Sequence, residues 1–232
     1  MMSKRAMLKL SGETLSDKDL SISPISLKRI SDEISLALES NPVELAIVIG
    51  AGNVWRGAGK DMDRVVADKI GMLATVMNCL ALKDELIRRG LKTEVFGAKG
   101  VSGLIKDYDN EKADKYLKKG FVVILAGGTG SPFFTTDSGA ALRAAELNAE
   151  IVLKATQIDG IYSDDPKKNP KAVKFENLTF NEALEKHLKI MDEAAFALCM
   201  NADIDILVFD FYKSGNLKRV LSGEKIGTLV AK

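Results

Sequence analysis

The chain has 232 residues, 46% of them apolar and 28% charged, which is the make-up of a globular protein with a sizeable core. Lysine and arginine total 33 against 32 for aspartate and glutamate, a balance that argues against a nucleic-acid binder or a protein held to acidic lipid by charge. Residues 1–10 contain no secretory h-region, and apolar runs such as 45–49 and 121–126 are too short to span a bilayer, so the expected address is the cytoplasm, away from membranes.

Short β-rich runs alternate with helical patterns. Residues 6–10 read as a first strand. Leu27, Ile30, Ile34 and Leu38 recur at helical spacing, with Pro42 beyond the end. A buried strand at 44–49 runs into a glycine-rich turn at 50–59, then into a long helical region over 62–89 closed by Gly90. A strand at 93–96, a charged helix near 111–119 and a fully apolar strand at 121–126 follow. That last strand ends in Gly127-Gly128-Thr129-Gly130. Thr136 and Asp137 are placed to cap the next helix. A strand at 150–153 precedes Asp159-Gly160, which reads as a hairpin turn. Thr179 and Glu182 form a capping-box pattern. A helix over 192–201, a strand at 204–209, a short helix at 215–221 and a strand at 228–230 complete the chain. The alternation predicts a single α/β domain over 1–232, a three-layer αβα sandwich with a mainly parallel central sheet. No repeat or low-complexity linker interrupts it.

Ligands of such sheets bind beyond the carboxyl ends of the strands. Three glycine-rich turns occupy that position: Ser11-Gly12, residues 50–59 and residues 127–130. Known phosphate motifs fail on them. Gly59-Lys60 has Val54 where Walker A needs its first glycine and Asp61 after the lysine. Gly50-Ala-Gly52 is followed by Trp55, and Gly128-Thr-Gly130 by Phe133, where the dinucleotide fingerprint needs glycine. Any one cluster is explained equally well by tight strand-to-helix packing. Lys9 and Lys154, each near the end of an apolar strand, weigh against that explanation, because a buried ammonium needs a partner or an anionic ligand. With Asp137 at a helix start on the same edge they form a candidate phosphate site. Arg56 has a planar fork suited to phosphate, and serves equally as a solvated loop arginine. Asp137 serves equally as a helix N-cap.

The one histidine, His187, lies among Glu185, Lys186 and Lys189 and reads as surface, so no Ser-His-Asp or Cys-His arrangement is available. Cys79 and Cys199 lack metal-ligand spacing and read as buried reduced thiols. No residue is assigned as a metal ligand.

Five segments resemble bacterial uridylate (UMP) kinase, of the amino acid kinase superfamily. They are Lys9-Leu-Ser-Gly-Glu13, Val48-Ile-Gly-Ala-Gly-Asn-Val-Trp-Arg-Gly57, Asp68-Lys-Ile-Gly-Met-Leu-Ala-Thr-Val-Met-Asn78, Gly128-Thr-Gly-Ser-Pro-Phe-Phe-Thr-Thr-Asp-Ser138 and Leu153-Lys-Ala-Thr156. The likeness runs in order over nearly the whole chain. It implies an amino acid kinase-like fold and transfer of the γ-phosphoryl of ATP to UMP, giving UDP and ADP, with Mg²⁺ arriving on ATP, in pyrimidine nucleotide biosynthesis. It implies that Lys9 and Lys154 neutralise the transferring group, with Asp137 holding them in place. The ATP side is then Lys9, Leu10, Ser11, Gly12, Gly52, Arg56, Thr156, Tyr162 and Asp165. The UMP side is Ala51, Asp68 and the run Thr129, Gly130, Ser131, Pro132, Phe133, Phe134, Thr135 and Thr136. A homohexamer is implied as well. Ala51 stands where relatives commonly keep glycine, and Ser131 where they keep asparagine. Two other readings stay open: a small-acid kinase of the same superfamily, acting on acetylglutamate or carbamate, and a non-catalytic nucleotide-binding protein.

Overall fold

The computed structural model describes residues 4–56 and 61–232. Gly57, Gly59 and Lys60, from the end of the second glycine-rich turn, lie outside the described residues. Strand β1 (Arg5–Leu10) leads through a 3-10 turn (Gly12–Leu15) into α1 (Pro24–Ser40), whose start is capped by the Ser23 side chain. β2 (Glu44–Ile49), α2 (Arg64–Arg88), β3 (Thr93–Gly97), β4 (Lys106–Asp107), α3 (Asn110–Lys118) and β5 (Val122–Ala126) follow. The second half contains α4 (Thr136–Glu146), β6 (Ile151–Thr156), β7 (Ile161–Tyr162), β8 (Lys174–Phe175), β9 (Asn177–Thr179), α5 (Phe180–Glu185), α6 (Glu193–Asn201), β10 (Asp205–Asp210), α7 (Asn216–Leu221) and β11 (Thr228–Ala231).

Nine strands form one sheet in the order β4-β3-β5-β2-β1-β6-β10-β11-β9. From β4 to β10 every pair is parallel. β11 runs antiparallel to β10, and β9 follows β11. Length explains the reversal: the six residues of α7 rise only about 9 Å, less than the roughly 20 Å of β10, so α7 does not carry the chain back to the start of the sheet.

Alternation along the strands sorts side chains onto two faces. Leu8, Leu10, Leu45, Ile47, Ile49 and Leu153 pack with apolar residues of α1, α2 and α7. Met7, Ala46, Val48 and Val152 pack with residues of α3, α4, α5 and α6. The expected three-layer sandwich with a mainly parallel sheet is therefore borne out, and the capping box at Thr179 and Glu182 forms as read.

Three expectations change. Asp159-Gly160 does not turn a hairpin: β7 pairs with β8 across the loop of residues 163–173, and the Ile161 N–H donates to Thr228 Oγ1 at 2.8 Å. Thr135, not Thr136 or Asp137, caps α4, accepting from the N–H groups of Asp137 and Ser138. α2 contains an 18-residue stretch of mean hydropathy 1.6, long and apolar enough to cross a membrane by length and composition. Charges such as Asp68 and Lys69 break it into shorter apolar runs. In this fold its Val76, Cys79, Leu82 and Leu86 are buried against the sheet and α1.

Candidate active site

The parallel register of β1 and β6 sets Lys9 directly beside Lys154. Both positions have the parity of the α4 face, one residue on from Leu8 and Leu153, which point the other way. Two adjacent ammonium groups repel unless an anion stands between them. Asp137, in the first turn of α4, is that anion: Oδ1 lies 2.6 Å from Lys9 Nζ, and Oδ2 lies 2.7 Å from Lys154 Nζ. Side-chain exposures are only 13%, 13% and 17% for Lys9, Asp137 and Lys154. Lys154 also donates to the main-chain oxygen of Ile190 at 2.5 Å. The group keeps one net positive charge at the carboxyl ends of β1 and β6.

Burial pushes the Asp137 carboxyl up, but the charges of Lys9 and Lys154 outweigh it and hold the group below the usual carboxylate range. Burial favours the neutral amine of Lys154; Asp137 opposes this and Lys9 reinforces it, so the Lys154 ammonium gives up its proton more readily than an ordinary lysine. Asp192 lies alongside. It accepts from Thr135 Oγ1 at 2.5 Å, Ser138 Oγ at 2.7 Å and the Ala195 N–H at 2.9 Å. Burial raises its pKa, yet these hydrogen bonds keep it low.

The glycine turns surround this bridge. A Cβ on Gly12 would stand 2.6 Å from Gly50 O and 2.7 Å from Gly52 N, so only glycine lets the first two turns touch. Leu10 is buried beneath them, and Ser11 Oγ accepts from the Glu13 N–H at 3.3 Å. Gly52 faces nothing nearer than the Glu13 side chain. Arg56, in the same turn, is 68% exposed, pairs with Glu13 and donates from Nε to Gly52 O at 3.1 Å. Gly127, at φ 81°, donates its N–H to Thr75 Oγ1 at 2.7 Å, which fastens the third turn to α2.

Two clefts flank the lysine bridge. One, of ≈ 700 Å³, is lined by Lys154, Thr156, Tyr162 and Asp165, so three members of the expected nucleoside pocket meet there. Thr156 Oγ1 donates to Ile158 O at 2.6 Å, Tyr162 donates to Asp159 Oδ1 at 2.7 Å, and Asp165 accepts from the Lys167 N–H at 3.0 Å. The other, of ≈ 300 Å³, is lined by Ala51, Gly52, Asp68, Thr129, Ser131, Phe134, Thr135 and Thr136. Asp68 accepts from Arg64 Nε and from the Phe133 N–H at 2.8 Å, and its carboxyl sits low: desolvation opposes the shift, and the hydrogen bonds to Phe133 and Arg64 prevail. Gly130, Pro132 and Phe133 do not line this cleft. Phe133 is exposed at φ 71°, with Arg64 over its ring.

Several lining residues went unread in the sequence. Trp55, Arg64, Gly71, Met72 and Thr75 line the smaller cleft. Lys186, His187 and Lys189 line the larger one, so the surface histidine stands at a cleft mouth. The i, i+4 spacing of Arg64 to Asp68 and of Gly71 to Thr75 was the available signal, since it puts each pair on one helix face. A further cavity, of ≈ 540 Å³, opens near Ile151 and Asp205 at the opposite strand ends and contains none of the expected site residues. Charge, not size, distinguishes the site.

A buried lysine–carboxylate–lysine bridge between two clefts, approached by glycine turns, is suited to drawing two phosphate-bearing ligands together. The family model for the amino acid kinase family matches residues 4–210. The chain belongs to the amino acid kinase family. As a member it is a phosphotransferase. Its fold resembles the UMP kinase of Bacillus anthracis with a TM-score of 0.96 and 34% identity, over 100% of this chain and 97% of that one. The UMP kinase of Ureaplasma parvum matches with a TM-score of 0.94 and 39% identity over 100% of both chains. A uridylate kinase from Archaeoglobus fulgidus matches with a TM-score of 0.73 and 26% identity over 97% of this chain and 99% of that one.

Proposed function

We propose that this chain, acting as one catalytic domain over 1–232, transfers the γ-phosphoryl group of ATP to UMP in pyrimidine nucleotide synthesis. The observation that carries the reading is the Lys9–Asp137–Lys154 bridge between the two clefts. In this reading ATP occupies the larger cleft, with Thr156, Tyr162 and Asp165 around its nucleoside and Lys9, Leu10, Ser11, Gly12, Gly52 and Arg56 toward its phosphates. UMP occupies the smaller cleft, with Ala51, Asp68 and residues 129–136 around it. A phosphate oxygen of UMP forms the new bond to the γ-phosphorus as the bond to the β-phosphate oxygen breaks, and ADP leaves. Phosphate monoesters have a second pKa of about 6, so the acceptor is already ionised at neutral pH and needs no general base. Lys9 and Lys154 then stabilise the charge spread over the transferring group.

No group of three or more acidic, histidine or cysteine side chains suited to a metal occurs among the described residues. Asp137 Oδ1 is buried and engaged by the Lys9 ammonium at 2.6 Å. With both Asp137 oxygens taken by ammoniums, the residues fit a hydrated Mg²⁺ that enters on ATP rather than one caged by protein. The ion, when bound, would neutralise phosphate charge. The cytoplasm suits the buried thiols of Cys79 and Cys199, which burial pushes up, Cys199 to about 12. Exposed Val66, Leu73 and Met77 on α2 support self-association, and with the family likeness a homohexamer.

A panel of nucleoside monophosphates with ATP and Mg²⁺ tests the reading: UMP is expected to be the preferred acceptor. Turnover of acetylglutamate or carbamate without UMP would sink it, as would UMP binding with no turnover at all.

A further inference from the structure

Two amide side chains outside the lysine bridge form a closed unit. Asn78 stands in the middle of α2 at 0% exposure. A polar side chain is costly there unless its groups are all paired. Its Nδ2 donates to Gly50 O at 2.8 Å and to Asn53 Oδ1 at 2.8 Å. Asn53 Nδ2 donates in return to Asn78 Oδ1 at 2.9 Å and to Ser21 O at 2.7 Å. All four amide hydrogens are thereby used. Asn53 Oδ1 is also the atom nearest to where a Cβ on Gly12 would stand, so the first glycine turn rests on the same pair. A leucine at 78 would fill the helix face without needing partners; the amide adds direction, because only one placement of the 50–56 turn satisfies it.

We propose that Asn78 is a positioning residue for phosphoryl transfer. Through Asn53 it locks the turn after β2 onto α2. That fixes the spacing between the Gly12 and Gly52 backbone on the ATP side and the Ala51 backbone on the UMP side. The inference rests on the phosphoryl-transfer reading above. Trp55 provides a reporter: it lies in the same turn, donates from Nε1 to Ala67 O of α2 at 2.9 Å, and is the only tryptophan in the chain.

The experiment compares Asn53→Ala, Asn78→Ala and the double variant by steady-state kinetics with ATP, Mg²⁺ and UMP, by Trp55 emission, and by urea midpoint. Each single change is expected to lower kcat by about 10- to 100-fold, the cost of misplacing reacting groups by roughly an ångström. The KM for UMP is expected to move by less than about threefold, since the loss falls on the transition state. Trp55 emission shifts to the red as the turn loosens. The double variant should lose no more than the worse single one, because both remove a single shared interaction. Asn53→Ala cuts the pair from the turn side without opening a cavity in α2, so it decides the matter if Asn78→Ala does not fold. The proposal is overturned if folded Asn53→Ala keeps its kcat and Trp55 emission, if the two losses multiply, or if KM rises as much as kcat falls. The emission readout needs no turnover. Should the unaltered protein fail to phosphorylate UMP, the catalytic reading fails, and an unshifted Trp55 in Asn53→Ala would separately sink the amide lock.

Discussion

Lys9, Asp137 and Lys154 form a bridge in which each charge depends on the other two. Replacing either lysine by alanine removes a cation from the transferring group and is expected to lower kcat by about 10²- to 10³-fold, the typical cost of deleting one such donor. UMP affinity, measured by equilibrium binding, should change far less. The Lys154 ammonium is destabilised mainly by burial, so the alkaline limb of kcat should fall below pH 10.5, the ordinary lysine value, and Lys154→Arg should move that limb upward. Asp137 works with the opposite sign. Its carboxyl titrates lower folded than unfolded, so its contribution to stability is complete above the unfolded value near 3.8 and is lost as pH falls through the lower folded value. Asp137→Asn should flatten that acid dependence in urea unfolding and cost roughly 3–5 kcal/mol at neutral pH, because two buried ammoniums lose their counter-ion.

At the level of elements, the site is assembled where turns are fastened to helices. Thr75 projects from α2 and accepts the Gly127 N–H in a buried setting. Thr75→Val keeps the shape but strands that N–H, at a cost of about 1–3 kcal/mol. Urea unfolding would register the change as a lower midpoint with an unaltered slope. α4 contributes at its N-terminus. Thr135 caps the helix and also reaches Asp192, the residue that caps α6. Asp137 is thereby released from capping and turns toward the lysines, which is why the N-cap reading of Asp137 fails. The segment 129–136 is therefore tied to the loop that holds Ile190, and through Ile190 O to Lys154.

Across the whole molecule, the sheet places both clefts at the carboxyl ends of the parallel strands, while the exposed apolar residues Val66, Leu73 and Met77 mark the outer side of α2. If that stripe is covered by a second copy, Leu73→Glu with Met77→Lys should convert an associated species to monomer in sedimentation, since desolvating unpaired charge opposes contact. Equal sedimentation of the two proteins would remove α2 from the interface. Much of this architecture was legible in the order of residues. Strand and helix periodicities, the three glycine-rich turns and the lysines near two strand ends are local properties, set by backbone sterics and by the cost of burying charge, and they placed the site at one edge of the sheet. The chain alone did not reveal that β1 and β6 are neighbours in matched register, because strand order depends on packing between segments distant in sequence. That register sets Lys9 against Lys154. Nor did it reveal the reversed β11 and β9, the pairing of Asn53 with Asn78 or the helix face shared by Arg64 and Asp68 with the 129–136 segment. Each of these is decided by which surfaces meet when apolar side chains leave water, and that is a property of the assembled fold.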